Sequence, residues 1–144
     1  MAIQQTATNQ FKAGMPSGQY NFLTGTFYIA LYTGAATLNA TTSAYTSTNE
    51  VVGSGYTAGG QALSVSVTPT TGGDPNNTIA YLSFNNITWS PASFTCRGAL
   101  IYQYDGVNNY SVCVLDFGND KTCNSQFTVQ FPTPTSTNAI IRIA

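Results

Sequence analysis

The sequence predicts an all-β protein, and three observations support that class. Short segments rich in β-branched and aromatic residues alternate apolar and polar side chains, as strands with one buried face do. Clusters of Gly, Pro, Asn and Asp separate these segments. No stretch has a convincing helical period. With 144 residues, the chain has the length of one domain. The pattern favours a jelly-roll-like, two-sheet sandwich of about eight strands, with a closed barrel as the alternative.

The N-terminal segment differs from the rest of the chain. Residues 1–26 are polar and are interrupted by glycine and proline, so we expect a short arm with at most one turn of helix near Phe11. Because such a segment has little to pack against by itself, we expect residues 1–10 to become ordered only against a partner. The β-sandwich domain then occupies residues 27–144.

Eight segments have the composition of strands. In chain order they are 27–33, 61–70, 78–84, 87–90, 97–104, 110–117, 125–132 and 138–144. The first is apolar on both faces, which predicts that both are covered. In the second, Leu63, Val65 and Val67 alternate with hydroxyl side chains, and Pro69 ends the strand or marks a sheet edge.

Two connections are informative. Residues 34–50 form a long polar stretch without helical period, which we expect to cross between the two sheets. Residues 105–109, "DGVNN", join two β-rich runs and predict a hairpin.

Charge is scarce in this chain. Charged residues make up 6% of the sequence, against about 25% in an average protein, and the net charge is −1. Without a Lys/Arg cluster we expect no nucleic-acid partner, and without an apolar run of about 18 residues we expect no membrane span. The N-terminus lacks the features of a signal peptide, so we expect synthesis in the cytoplasm. A surface of Ser, Thr, Asn and Gln suits close contact with neighbouring copies.

The side-chain inventory argues against an enzyme. The chain has no His, which excludes Ser/His/Asp and Cys/His sites and the usual His/Cys metal centres. We therefore expect no cofactor and no metal. A glycosidase with paired carboxylates is the weakest hypothesis, since no spacing supports it. Cys96, Cys113 and Cys123 are expected to be reduced and packed, with one disulfide plus a free thiol as the alternative.

Two motifs resemble catalytic loops only superficially. "GSGYTAGG" at residues 53–60 lacks the GK[ST] of a phosphate-binding loop and precedes a strand, so Gly55, Gly59 and Gly60 are interpreted as backbone devices at a bend. "DFG" at residues 116–118 lacks the other kinase motifs and is expected to end a strand in a turn.

Two side-chain groupings deserve a hypothesis each. Glu50 and Arg97 both lie beside apolar strand residues, so they either pair with each other or are solvated separately. The aromatic set either lines a sugar-binding face or lies in the core or at a subunit contact. Its members are Trp89, Tyr102, Tyr104 and Tyr110.

A family resemblance enters through four segments. They are "FYIALYTGAATLNATTSAYTSTNEVVGSGYTAGGQAL", "RGALIY", "VCVLDFGNDK" and "FPTPTSTNAIIRIA". Together they resemble small structural virion proteins of tailed bacteriophages over residues 20–144, with Tyr28 at a position where that pattern has Lys.

The resemblance implies a structural protein of the particle and no enzyme. It favours a head decoration (cement) protein that is a homotrimer, contacts the major capsid protein on the capsid surface and reinforces the shell. Phe11, Tyr20 and Phe22, together with exposed tyrosines, are the expected interface residues, chosen by position. A tail or baseplate component and a carbohydrate-binding module are the alternatives.

Overall fold

A computed structural model of the chain describes residues 2–73 and 75–143. Its elements are β1 (Thr6–Ala7), α1 (Asn9–Gly14), β2 (Thr26–Tyr32), β3 (Gln61–Leu63), β4 (Val65–Gly72), β5 (Ile79–Phe84), β6 (Ile87–Trp89), β7 (Phe94–Tyr104), β8 (Ser111–Cys123), β9 (Phe127–Val129) and β10 (Ile141–Ile143). The predicted all-β class is confirmed. The described residues contain ten strands. The predicted segment 61–70 divides at Ser64 into β3 and β4, and β1 lies in the predicted arm.

The strands form three antiparallel groups within the described residues. A large sheet has the order β1-β8-β7-β2-β3, a smaller sheet has the order β10-β5-β4, and β6 pairs with β9. Because β4 is an outer strand of the smaller sheet, the edge position expected for Pro69 is confirmed.

One face of the large sheet packs into the main core. Ile29, Ile101 and Cys113 are aligned across β2, β7 and β8 and are buried together with Phe84 of the smaller sheet and Val129 of β9. This packing of the large sheet against the other strands is what makes the fold a sandwich.

The opposite face of the large sheet is covered as well, as the double-faced pattern of β2 predicts. Ala30, Leu100 and Val114 are aligned across the same three strands and are completely buried. Ile3 and Leu38 pack over them from the N-terminal segment and from the long connection. The expectation that residues 34–50 cross between sheets is therefore wrong. Because β2 and β3 are neighbours in one sheet, the connection folds back over its outer face.

The N-terminal segment is part of this packing and does not stand apart as an arm. Thr6 and Ala7 pair with β8, and Thr8 begins α1 by accepting a hydrogen bond from the Phe11 amide at 3.2 Å. The Ser111 hydroxyl lies 2.8 Å from the Thr8 hydroxyl, and both residues are completely buried. Such buried polar pairs fix a segment in one position, because separating them would leave both groups unsatisfied.

The predicted hairpin at residues 105–109 is confirmed between β7 and β8. The predicted turn at the DFG sequence is wrong, because β8 continues to Cys123. Its register changes from Gly98 opposite Asp116 to Cys96 opposite Lys121, so extra residues of β8 form a bulge there. Gly118 has a φ of 85° within the bulge, which only glycine adopts without strain.

Candidate functional site

Among the charged residues that the structure describes, Glu50 is the buried one, with 7% of its surface exposed. Three donors contact its carboxylate. The Tyr45 hydroxyl donates to Oε2 at 2.7 Å, and the Tyr56 hydroxyl and the Gly59 amide each donate to Oε1 at 2.7 Å. Hydrogen bonds to the charged form are the means by which a buried carboxylate is stabilised without a cation.

The glycine-rich loop, residues 53–60, is held against the large sheet around this carboxylate. The Tyr56 hydroxyl accepts a hydrogen bond from the Leu31 amide of β2 at 2.8 Å, and the Tyr102 hydroxyl donates to the Gly59 carbonyl at 2.8 Å. Gly60 has a φ of 81°, and a Cβ atom there would clash with the Ile29 carbonyl oxygen. The glycines thus act as backbone devices that allow the loop to lie directly on β2.

The phenols around Glu50 have raised pKa values. Burial, followed by the hydrogen bond to Glu50, raises the pKa of Tyr45 to about 12, and the same two causes raise the pKa of Tyr56 further. Both hydroxyls therefore remain protonated donors at neutral pH. An enclosed carboxylate whose oxygens accept three hydrogen bonds is suited to fixing the loop and not to binding a substrate.

The hypothesis that Glu50 pairs with Arg97 is wrong. Arg97 instead places Nε 3.3 Å from Asp116 Oδ1, with 37% and 27% of the two side chains exposed. The Asp116 carboxylate also accepts the Gly118 amide at 2.9 Å. That bond, together with Arg97, holds the pKa of Asp116 below its usual value. The bulge in β8 places Asp116 beside Arg97, and no local sequence pattern indicates this.

The residues chosen for an interface lie mainly in the core, so that expectation is corrected for this chain. Phe11 and Phe22 are 2% and 9% exposed, and the Phe22 ring stacks on Phe27 at 4.4 Å. Tyr20 is half-buried, and its hydroxyl donates to the Ser111 carbonyl at 2.6 Å. Their large apolar rings are covered by the sandwich itself, which leaves little of them for a partner.

Two members of the aromatic set, Trp89 and Tyr102, are too buried for a sugar-binding face, whereas Tyr104 is exposed and Tyr110 is half-buried. Trp89 is 1% exposed and lies among Tyr56, Phe94 and Phe127, while Tyr102 is 2% exposed on the other side of the large sheet. Stacking on a sugar requires an open ring face, which these two residues lack.

The three cysteines are buried and unpaired, as the preferred interpretation expects. Burial raises the pKa values of the Cys96 and Cys113 thiols to about 12. Such thiols pack as small apolar side chains and are poor nucleophiles.

One end of the large sheet carries exposed apolar side chains. Tyr104 is 47% exposed at the end of β7, opposite Thr26 at the start of β2, and Leu23 is 71% exposed in the turn before β2. We call Leu23 and Tyr104 the end patch. Scattered exposed apolar residues are ordinary, but two adjoining the same strand ends are a candidate contact surface.

The hairpin tip, residues 105–109, projects from the same end. Asp105 Oδ1 accepts the amides of Val107, Asn108 and Asn109 at 2.9, 2.7 and 3.0 Å. These bonds, that of Asn109 above all, hold the pKa of Asp105 below its usual value and stiffen the tip. Val107 is 82% exposed at its apex.

A groove of about 430 Å³ lies where the outer strands β1 and β10 leave the two sheets open. We call it the edge groove. Its apolar lining includes Phe11, Met15, Leu115 and Ile141, and its charged lining residues are Lys12 and Arg142. Its volume falls in the range of small-ligand sites, which begins at about 300 Å³.

Within residues 2–73 and 75–143, no group of three or more His, Cys, Asp or Glu side chains is placed to hold a metal ion. No helix among these residues has the length and hydropathy required to span a membrane.

Comparisons with family models, curated proteins and solved structures each found no match to this chain. The site assignments therefore rest on this chain's own geometry. Sequence reasoning missed Tyr45, Tyr56 and Val107. Tyrosines close to an acidic residue in the sequence are common, so no local signal distinguishes Tyr45 and Tyr56 from other tyrosines of the chain. The tip was predicted as a hairpin without regard to the apolar residue at its apex.

Proposed function

We propose that this protein is a structural component of a tailed-bacteriophage particle, a head decoration protein that binds the capsid lattice as a homo-oligomer, most simply a trimer. The observation that supports the proposal is the end patch, two exposed apolar side chains at one end of a nearly uncharged sandwich. The sequence resemblance supplies the biological setting. Its first segment builds β2, the Glu50 contacts and the glycine-rich loop.

The body of the protein suits attachment to a lattice. Glu50 is enclosed, and Arg97 and Asp116 contact each other, so few charges must lose water when a surface is covered. Apolar area removed from water contributes about 25 cal/mol per Å² before the costs of association. Many equivalent sites on one particle hold each oligomer through several weak contacts at once.

The test uses heads assembled without this chain. Added protein is expected to cosediment with the heads in a saturable manner and to raise the temperature at which they break open. Leu23→Asp is expected to weaken binding, because it places a charge in the end patch. Val52→Asp is the matched control, since Val52 is 95% exposed and lies outside that patch.

The same material locates the protein on the particle. Antibody labelling of whole virions is expected to mark the head. Label confined to the tail, with no binding to isolated heads, would replace the decoration role with that of a tail component. Equal binding of Leu23→Asp and Val52→Asp would remove the end patch from the proposal.

A further inference from the structure

The hairpin tip and the edge groove have complementary chemistry. At the tip, the exposed acid Asp105 and the exposed apolar side chain of Val107 lie two positions apart in the sequence. The edge groove has an apolar lining and two of the chain's four cationic side chains, Lys12 and Arg142.

The charges of the groove are uncompensated within the described part of the chain. Among the described residues, the ion pair joins Arg97 to Asp116. Neither Lys12 nor Arg142 has an acidic partner among these residues. Arg142 Nε donates to the Ser136 carbonyl, which orients the guanidinium without neutralising it. Among residues 2–73 and 75–143, no acidic side chain lines the groove. The field in the groove therefore favours an anionic occupant.

The tip is suited to enter such a groove without rearranging. Three amides bound to Asp105 fix its backbone, so little conformational entropy is lost on docking. The exposed Val107 side chain would meet the apolar lining formed by residues such as Leu115 and Ile141.

We propose that the hairpin tip of one copy docks into the edge groove of a second copy, with Val107 against the apolar lining and Asp105 near Lys12 and Arg142. The two surfaces are different patches of one chain, so the contact is heterologous and can be repeated from copy to copy until a ring closes. This contact would join the copies of the homo-oligomer in the proposed function, and the inference rests on that function.

Self-association of the purified full chain, measured by sedimentation velocity over a concentration series, tests the contact without phage heads. Val107→Lys keeps the backbone amide that binds Asp105 and adds a cation facing Lys12 and Arg142. Lys12→Glu reverses a charge of the groove. Each is expected to weaken self-association about tenfold or more, as loss of a central contact does. Val52→Lys, at an exposed position outside the tip and the groove, is the control and is expected to associate as the wild type does.

The double variant Val107→Lys/Lys12→Glu decides the matter, because it restores opposite charges across the proposed contact. Association is expected to recover part of the loss seen in the single variants, because the new charge pair forms while the apolar contact of Val107 stays absent. A double variant as weak as the sum of the two, or single variants that associate like Val52→Lys, would overturn the inference. A wild-type chain that stays monomeric throughout would overturn it too. Circular dichroism and melting temperature confirm that each variant is folded. Single variants that self-associate and bind heads as the wild type does would reject this contact and leave the decoration role standing.

Discussion

Two carboxylates of this chain, Glu50 and Asp116, lie in environments that differ in exposure and in contacts. Glu50 is buried and accepts hydrogen bonds from two phenols and one amide. Asp116 is partly exposed and contacts Arg97 and the Gly118 amide. In a chain so poor in charge, Arg97 lies beside the partly exposed Asp116 and not beside the buried Glu50.

The difference shows which interactions stabilise a buried charge here. An ion pair at the surface contributes about 0–1 kcal/mol, because water already solvates both partners. A buried carboxylate must instead have its oxygens satisfied by donors fixed in place, and the donors to Glu50 come from one connection and one loop. The charge therefore joins the long connection to the glycine-rich loop, whereas the Asp116 pair links two neighbouring strands.

The largest expected effect is that of Glu50→Ala. It leaves the Tyr45 and Tyr56 hydroxyls and the Gly59 amide without their acceptor, so the free energy of unfolding should fall by about 3 kcal/mol. Urea denaturation measures the loss, with Asp116→Ala as the control at a partly exposed carboxylate. If the two variants lose equal stability, the distinction between the two sites fails.

Tyr56→Phe should have an intermediate effect, about 2 kcal/mol at neutral pH, because its hydroxyl both donates to Glu50 and accepts from Leu31. Tyr45→Phe should lose about half as much, since it has one such bond. The pKa of Tyr56 is raised in the folded state. Its contribution is therefore complete below the unfolded pKa of about 10 and is lost as the pH rises beyond it.

The gap between wild type and Tyr56→Phe should accordingly narrow above pH 10, by up to about 1.4 kcal/mol per pH unit. Denaturation curves at neutral pH and near pH 11 measure both gaps. A gap that stays constant or widens would mean that the Tyr56 hydroxyl is not protected from ionisation.

The sequence was sufficient for features that depend on local alternation. Val65 and Val67 are more buried than Ser64 and Ser66, as the period of two predicts. The hairpin was predictable because Asp-Gly and Asn residues favour the required backbone angles, and Gly106 and Asn109 have positive φ values.

Features that depend on distant segments were not predictable in this way. The N-terminal segment has no period, so Phe11 and Phe22 suggested contacts with a partner, yet they fill the core beside Phe27. Thr8 was an available signal, since threonine before a short helical stretch is a common N-cap. The Glu50 partners combine residues 45, 56 and 59, and their meeting depends on how the loop lies on β2.

The smallest expected effect is that of Arg97→Ala, which separates the exposed pair from the buried network. Because both side chains of the pair are partly solvated, the free energy of unfolding at neutral pH should change by about 1 kcal/mol or less.

The folded pKa of Asp116 is lowered, first by the Gly118 amide and then by Arg97. Its contribution is therefore present at neutral pH and is lost as the pH falls through that folded pKa. The small difference between wild type and Arg97→Ala should disappear in acid and in high salt, which screens exposed pairs. Urea titrations at neutral pH, at low pH and at high salt measure this, and a loss as large as that of Glu50→Ala would show that the exposed pair matters as much as the buried carboxylate.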